Sequence, residues 1–450
     1  MTLKYLKVHD SEIYKIIKGE ERRQKEGLEL IPSENYVSNS VSEAVGSVLE
    51  NKYAEGYPNK RYYTGNEYVD PLETAARERA KKLFGVPYVN VQPLSGAPAN
   101  LEIYAALFED GDVALSQLLS HGGHLSMGQT ASYTSKYYHT EFYHLTPEGE
   151  VDFDELRKLA KKLKPKIIWS GGTAYTKVFK WEKYAEIADE VGAYFVADIS
   201  HIGGLVAGGA HPSPAKFAHV IMTTTHKTLR GPRGAMIMVT EKGLKKNPDL
   251  PKKIDYAVFP GLQGGPHMNK IAGIAVALKE ASTTQFKKYS EQIVKNAGIL
   301  ADELKKNGFD LIGNGSENHM VWINLQNKEI DGWQAHVTLE RACIFGNKQT
   351  IPYDPKSPFF PSGYRIGTPA VTTRGMKEKE MKKIAEFINR GVKICQELSV
   401  KGLLSDDKEI AKKAREKYKS NIQKSKELDK LKKEVVAFAK KFPTPIESKT

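Results

Sequence analysis

Between residue 72 and about residue 240, short apolar runs alternate with amphipathic segments. Val89-Asn90-Val91, Val113-Ala114-Leu115, Ile167-Ile168-Trp169, Ala193–Ala197 and Val220-Ile221-Met222 have the length and apolar character of buried strands. Helical stretches separate them, one at 72–84 ending on Gly85, one opening at Ser95-Gly96-Ala97 and one at 181–191. Ala235-Met236-Ile237-Met238-Val239 runs back as a further strand. The alternation predicts an α/β domain with a mostly parallel sheet. Ligands on such sheets bind outside the carboxyl ends of the strands, which is where Ser95, Asp198 and Lys227 fall.

The pattern differs on either side. Residues 10–30 have charged helical character, the chain bends at Ile31-Pro32-Ser33-Glu34-Asn35, and a helix is expected at about 38–51. The loop 51–70 that follows is polar and carries Tyr53, Tyr57, Tyr62, Tyr63 and Tyr68, a composition more typical of a functional loop than of a connector. A Gly/Pro-rich loop at 259–266 leads into an expected single helix at about 268–306 that crosses between domains. Residues 307–395 read as a smaller α+β domain with strands at 320–325 and 343–345. Leu428, Leu431, Val435, Phe438 and Phe442 place one apolar face on an amphipathic helix over 405–442. The expected division is an N-terminal helical arm (1–50), a large domain (51–280) and a small C-terminal domain (281–450) ending in that lysine-rich tail.

Composition narrows the class. With 450 residues and 40% hydrophobic positions the chain can build a substantial core, and no apolar run approaches a membrane span. The first residues hold no signal-peptide core. Cys343 and Cys395 are the only cysteines, so a disulfide framework and a cysteine metal motif are both excluded, and reduced thiols in a cytoplasmic protein are expected. The net charge is +13, but residues 401–450 hold 15 Lys+Arg against 8 Asp+Glu and account for +7 of it. A solvated helical face explains that excess, and no nucleic-acid partner is expected.

Five weak signals point to one chemistry. Lys227 follows three threonines and His226 at a strand end. A lysine so held can form a Schiff base with pyridoxal phosphate, although a lone loop lysine is ordinarily just solvated. Asp198, also at a strand end, can pair with the pyridinium nitrogen of that cofactor, with His201 three residues on. Ser95 and Gly96 open a helix whose N–H groups can seat a phosphate. His124, in His121-Gly122-Gly123-His124, can stack on a flat ring; a zinc site is disfavoured because no further ligands stand at suitable spacing. Arg365, in a Gly/Ser/Pro-dense segment, can grip a carboxylate through two parallel hydrogen bonds.

At this point the chain resembles the serine hydroxymethyltransferase (glycine hydroxymethyltransferase) family. The resemblance runs from about residue 25 to about residue 395. It is carried by LELIPSENYVS at 28–38, NKYAEGYP at 51–58, SHGGHLSMG at 120–128, TTTHKTLRGPRG at 223–234, FPGLQGGP at 259–266 and SGYRIGTPAVTTRG at 362–375. It implies the aspartate-aminotransferase-like fold, pyridoxal 5'-phosphate as cofactor, at least a homodimer with shared active sites, and transfer of the serine hydroxymethyl carbon to a tetrahydropterin, leaving glycine. By motif, Lys227 is then the Schiff-base lysine, supported by His226 and Thr224. Asp198, His201 and His124 hold the ring, and Ser95 and Gly96 hold the phosphate, with Tyr53 and Gly265 reaching in from the partner subunit. Ser33 and Arg365 bind the substrate carboxylate. Glu55, also from the partner, manages the proton on the serine hydroxyl, and Tyr63 lines the same pocket. The pterin packs against the loop of Leu119, Gly123 and Leu125.

The chain departs from the family in places. Ala97-Pro98 stand where a polar residue and a glutamine are common, and Thr173 stands where some members have serine. Counting back from Arg365 puts Gln349 where members have a pterin-reading asparagine, and Asn347 is the alternative. The carrier is therefore tetrahydrofolate or a methanopterin-type relative. A threonine or serine aldolase-type pyridoxal-phosphate enzyme is the rival reading, and a basic binding protein without catalysis is a second.

Overall fold

Seven strands form the main sheet in this computed structural model, which describes residues 3–405 and 407–445. They are β1 (Tyr88–Asn90), β2 (Val113–Gln117), β3 (His139–Tyr143), β4 (Ile167–Ser170), β5 (Tyr194–Asp198), β6 (Val220–Thr224) and β7 (Ala235–Val239). Their order across the sheet is β1-β7-β6-β5-β4-β2-β3, and β7 alone runs opposite to the other six. This sheet belongs to a unit made of residues 35–292. Its central strands are buried along their whole length, which is why they read as continuous apolar runs. The register sets Asp198 on β5 beside Met222 on β6, so Asp198 and the Lys227 loop leave the sheet at the same edge.

Among the elements of this unit that were not expected are an edge strand and a helix. β3 has the sequence HTEFY and is buried only at its last residue. As an edge strand it has one partner, β2, and no apolar run to betray it. The helix Phe153–Leu163 is capped by Asp152, whose side chain accepts from the Glu155 N–H, and it ends at Lys164 in the left-handed region. One expectation needs correction. The helix expected at 268–306 is two helices, Met268–Ala281 and Thr284–Lys306. At the break the Ser282 and Thr283 hydroxyls donate to the carbonyls of Lys279 and Glu280, and Thr283 accepts from the Phe286 N–H. Side-chain hydroxyls that compete for backbone groups end one helix and start the next.

The other unit joins residues 1–34 to residues 293–450. Its sheet holds β8 (Asp310–Leu311), β9 (Met320–Asn324), β10 (Asn347–Gln349) and β11 (Gly363–Gly367), antiparallel in the order β8-β9-β11-β10. Leu28–Glu29 pairs in parallel with Ile344–Phe345, and Leu28 and Leu30 are fully buried in this unit's core. Leu28 and Glu29, in the segment expected as a separate N-terminal arm, thus pair with residues more than three hundred positions away, a pairing that local sequence does not encode.

The tail also differs from expectation: it is two helices, Lys408–Lys424 and Lys426–Ala439, with Ser425 capping the second through the Leu428 N–H. Leu428, Leu431 and Val435 are fully buried, and Tyr418 on the first helix reaches Thr338 Oγ1 at 2.7 Å. Arg374 fastens the tail to the N-terminal segment. Its guanidinium, 4% exposed, donates to the carbonyls of Gln24, Lys25 and Gly27 and to those of Ala439 and Phe442. It thereby satisfies the carbonyl ends of two helices. Arg374→Met keeps the stem and leaves those buried carbonyls unpaired, which costs roughly 3 kcal/mol or more. Urea unfolding of the purified variant checks this, and a loss under about 1 kcal/mol would contradict the clamp.

Candidate active site

The loop after β6 is closed on itself by threonine. The Thr225 N–H donates to Gly234 O at 3.0 Å, the Gly231 N–H to Thr225 O at 2.6 Å, and Thr225 Oγ1 to Pro232 O at 2.6 Å. Arg230 turns the chain in the left-handed region, with its guanidinium 4.1 Å from the centre of the Tyr289 ring. Asn35 Nδ2 donates both to the Lys227 carbonyl (3.0 Å) and to the Tyr289 hydroxyl (2.7 Å).

A second set of bonds ties the loop to the turn after β5. Thr228 Oγ1 donates to His201 O at 3.0 Å and accepts from the Gly204 N–H at 2.9 Å. The Thr224 N–H donates to Ser200 Oγ at 3.0 Å. Lys227 is held 8% exposed. His226 beside it is kept neutral: burial, then the charges of Lys227 and Arg233, push it down to about 3. Its Nδ1 is buried with no hydrogen-bond partner among the described residues.

Asp198, 8% exposed, accepts from the Ser200 N–H through Oδ1 (2.9 Å) and from Asn100 Nδ2 through Oδ2 (3.2 Å). Asn100 also donates to Ser126 Oγ, which lies 2.7 Å from His124 Nδ1. Ser95 is the extended N-cap residue of the helix Gly96–Leu107, yet its side chain makes no capping bond. A Cβ at Gly96 would come within 2.8 Å of Thr224 Cγ2, so glycine lets this helix end press against β6. Thr173 Oγ1 donates to the Gly123 carbonyl at 3.0 Å. Leu119 is fixed through its N–H to Gln129 Oε1, and Leu125 is exposed. His201 is buried.

Tyr53, Glu55, Tyr63 and Gly265 come together as a separate cluster. The rings of Tyr53 and Tyr63 meet edge to face at 5.1 Å, and Glu55 lies against the Tyr53 hydroxyl. A Cβ on Gly265 would lie 3.1 Å from the Tyr53 ring. Both tyrosines are exposed, and an open groove of about 700 Å³ runs past Tyr63, Arg61 and Asp70. Beneath the cluster Arg61 is buried; it pairs with Glu73 at 2.7 Å and Asp70 at 2.8 Å and donates to the carbonyls of Ala54 and Gly56.

In the other unit Arg365 sits in the middle of β11, across from Asn347 on β10. Its Nε donates to Asn347 Oδ1 at 3.0 Å, and burial pushes the guanidinium down to about 10. Gln349 lies two residues along, opposite Gly363. Ser33 follows Pro32, which packs on Gly367 at the end of the same strand.

Compared with known proteins, a family model described as serine hydroxymethyltransferase matches residues 6–388. The chain belongs to the serine hydroxymethyltransferase family. A relative of that name from Acidothermus cellulolyticus (strain ATCC 43068 / DSM 8971 / 11B) is 50% identical over 412 residues, covering 91% of this chain and 95% of the relative. The α/β fold with its mixed, mostly parallel sheet is that of the aspartate-aminotransferase-like pyridoxal-phosphate enzymes, and pyridoxal 5'-phosphate is the family's cofactor.

The residues present fit that group. A buried carboxylate, a serine left over at a helix N-terminus, a glycine-lined approach and a desolvated lysine beside a neutral histidine stand at one sheet edge. Sequence reasoning missed Asn35, Asn100, Ser126, Thr228 and Arg61, which hold the others in place. Their types are common, and only long-range partners mark them out.

The neutral His226 has a pH consequence. In the unfolded chain it takes up a proton near its ordinary 6.5, whereas in the fold it does so only near 3, so stability falls as pH drops between those values. Urea unfolding of the cofactor-free protein is expected to show wild type losing about 1 kcal/mol more per pH unit than His226→Asn between pH 6 and pH 4. Parallel losses in the two proteins would show that His226 does take up a proton in the fold.

Proposed function

We propose that this chain is a pyridoxal-phosphate-dependent serine hydroxymethyltransferase that moves the serine hydroxymethyl carbon reversibly to tetrahydrofolate, leaving glycine. The observation that carries this reading is the stapling of the Lys227 loop to the Asp198 turn at the carboxyl edge of the sheet. Bound pyridoxal phosphate supplies an electron sink for the bond broken beside the amino-acid nitrogen. Lys227 holds the cofactor through its amine. Asp198 keeps the pyridinium nitrogen protonated, His124 covers the ring, and His201 and Thr173 stand beside them. Ser95 and Gly96 bind the phosphate. His226 and Thr224 keep the lysine placed.

Arg365 and Ser33 take the substrate carboxylate. A buried guanidinium that burial pushes down is stabilised when an anion arrives, which favours a charged substrate over a neutral one. Gln349 is the side chain that reads the pterin edge, beside Leu119, Gly123 and Leu125, while Asn347 engages Arg365 and the Lys348 carbonyl with its amide. No helix among the described residues is long and apolar enough to cross a membrane, and a cytoplasmic site of action belongs to this reading.

Serine cleavage with each carrier tests the activity. Glycine release is expected to rise many-fold over the carrier-free reaction with tetrahydrofolate. Lys227→Ala is expected to lose both that activity and the visible absorbance that borohydride bleaches. Release with a methanopterin-type carrier alone would replace the folate assignment. Release indifferent to any carrier would favour the aldolase-type reading.

Tyr53, Glu55, Tyr63 and Gly265 serve the site of a partner subunit in a homodimer. The support is that they cluster with one another, that both tyrosines are exposed, and that the loop carrying Tyr53, Glu55 and Tyr63 is fixed from below by Arg61. Mixing inactive Glu55→Gln with inactive Lys227→Ala is expected to restore part of the activity, because a mixed dimer regains one complete site. No recovery after proven subunit exchange would place Glu55 in its own chain's site.

A further inference from the structure

Asn100, Ser126, His124 and Asp198 form a continuous hydrogen-bonded chain, and the chemistry of its ends fixes the direction of every bond in it. Asn100 is fully buried one turn into the helix Gly96–Leu107, and Ser126 is 3% exposed. Asn100 Nδ2 lies 3.2 Å from Asp198 Oδ2 and 2.9 Å from Ser126 Oγ. Ser126 Oγ lies 2.7 Å from His124 Nδ1, and the Ser126 backbone N–H reaches the same nitrogen at 3.2 Å.

An ionised Asp198 only accepts, so Asn100 presents its NH₂ to it. A flipped amide would set oxygen against carboxylate. The second proton of that NH₂ goes to Ser126 Oγ. Asn100 Oδ1, on the other side, is buried with no partner among the described residues, so the amide is placed for its donors. The Ser126 backbone N–H donates to His124 Nδ1, which makes that nitrogen an acceptor, so Ser126 Oγ turns its own proton to it as well. That nitrogen then receives two donors and carries no proton, which leaves His124 neutral with its proton on Nε2.

We propose that Asn100 and Ser126 are positioning residues: they tie the imidazole of His124 to the carboxylate of Asp198, fix its tautomer, and make the two cofactor-facing groups a single unit. This rests on the pyridoxal-phosphate reading of the site. None of the six motifs that carry the family resemblance contains Asn100. Ser126 does fall in one, but its place there gives no hint of a link to Asp198.

Binding of pyridoxal phosphate to the cofactor-free protein tests the coupling. Ser126→Ala and Asn100→Ala are each expected to weaken it about tenfold, while the double variant is expected to be no more than about twofold weaker than the worse single one. Ser126→Thr, which keeps the hydroxyl, is expected to bind like wild type. Losses that multiply to about a hundredfold, or a Ser126→Ala protein that binds normally, would overturn the proposal. If Asn100→Ala does not fold, the imidazole nitrogen NMR shifts of cofactor-free wild type and Ser126→Ala decide. An unprotonated Nδ1 on His124 in wild type, lost or mixed in Ser126→Ala, supports the relay, and a protonated Nδ1 in wild type overturns it. A wild-type protein that takes up no pyridoxal phosphate would defeat the cofactor reading instead, and those shifts would still judge the relay.

Discussion

The site depends on backbone touching backbone at the carboxyl ends of the strands. A Cβ on Gly171 would lie 2.1 Å from the Asp198 carbonyl oxygen, and one on Gly172 would lie 2.4 Å from that of Gly122. Gly122 stands equally close to Ala174 O, Gly123 to Gln117 O, and Gly204 to Thr228 O. The loops after β2, β4, β5 and β6 are thus pressed together with no room for side chains. Only then do Asp198, Thr173, His124 and Lys227 project from neighbouring turns. Gly122 and Gly171 also need positive φ, so at these two positions any other residue meets both a clash and strain.

Three buried arginines show how charge is handled away from water. Arg61 is matched by two carboxylates and two carbonyls, and Arg374 by the carbonyl ends of two helices. Both have their donors directed inward at fixed partners, so they are structural. Arg365 differs. Its Nε is turned to the neutral amide of Asn347 across the strand pair, and burial pushes it down. The chain thus balances Arg61 with carboxylates and carbonyls and Arg374 with carbonyls, while an amide oxygen on the neighbouring strand faces Arg365.

The same contrast explains what the sequence disclosed. Buried strands such as Ile167–Ser170 and Val220–Thr224 announce themselves because both faces are apolar, and Asp198 and Lys227 were legible as polar residues directly beyond such runs. The edge strand HTEFY carries no such run. The helices over 268–306 and 405–442 looked continuous because their apolar periodicity persists across Ser282-Thr283 and Ser425, where hydroxyls re-cap the chain. Asn35 and Asn100 could not be found at all: an asparagine's meaning lies in partners 192 and 98 positions away.

Residues 51–70 contain little regular structure, yet Arg61 anchors them from within their own chain by a pair in which its side chain is 4% exposed and that of Glu73 is 1% exposed. Gln92 Nε2 reinforces it by donating to Gly56 O and to Glu73. Removing two charges from water is costly, and a loop that merely joined two helices would gain nothing from it. The anchor instead holds Tyr53, Glu55 and Tyr63 in one arrangement while leaving both rings exposed. A surface ordered in advance loses little further entropy when a ligand or another surface binds it, so the cost of fixing the loop is met in folding.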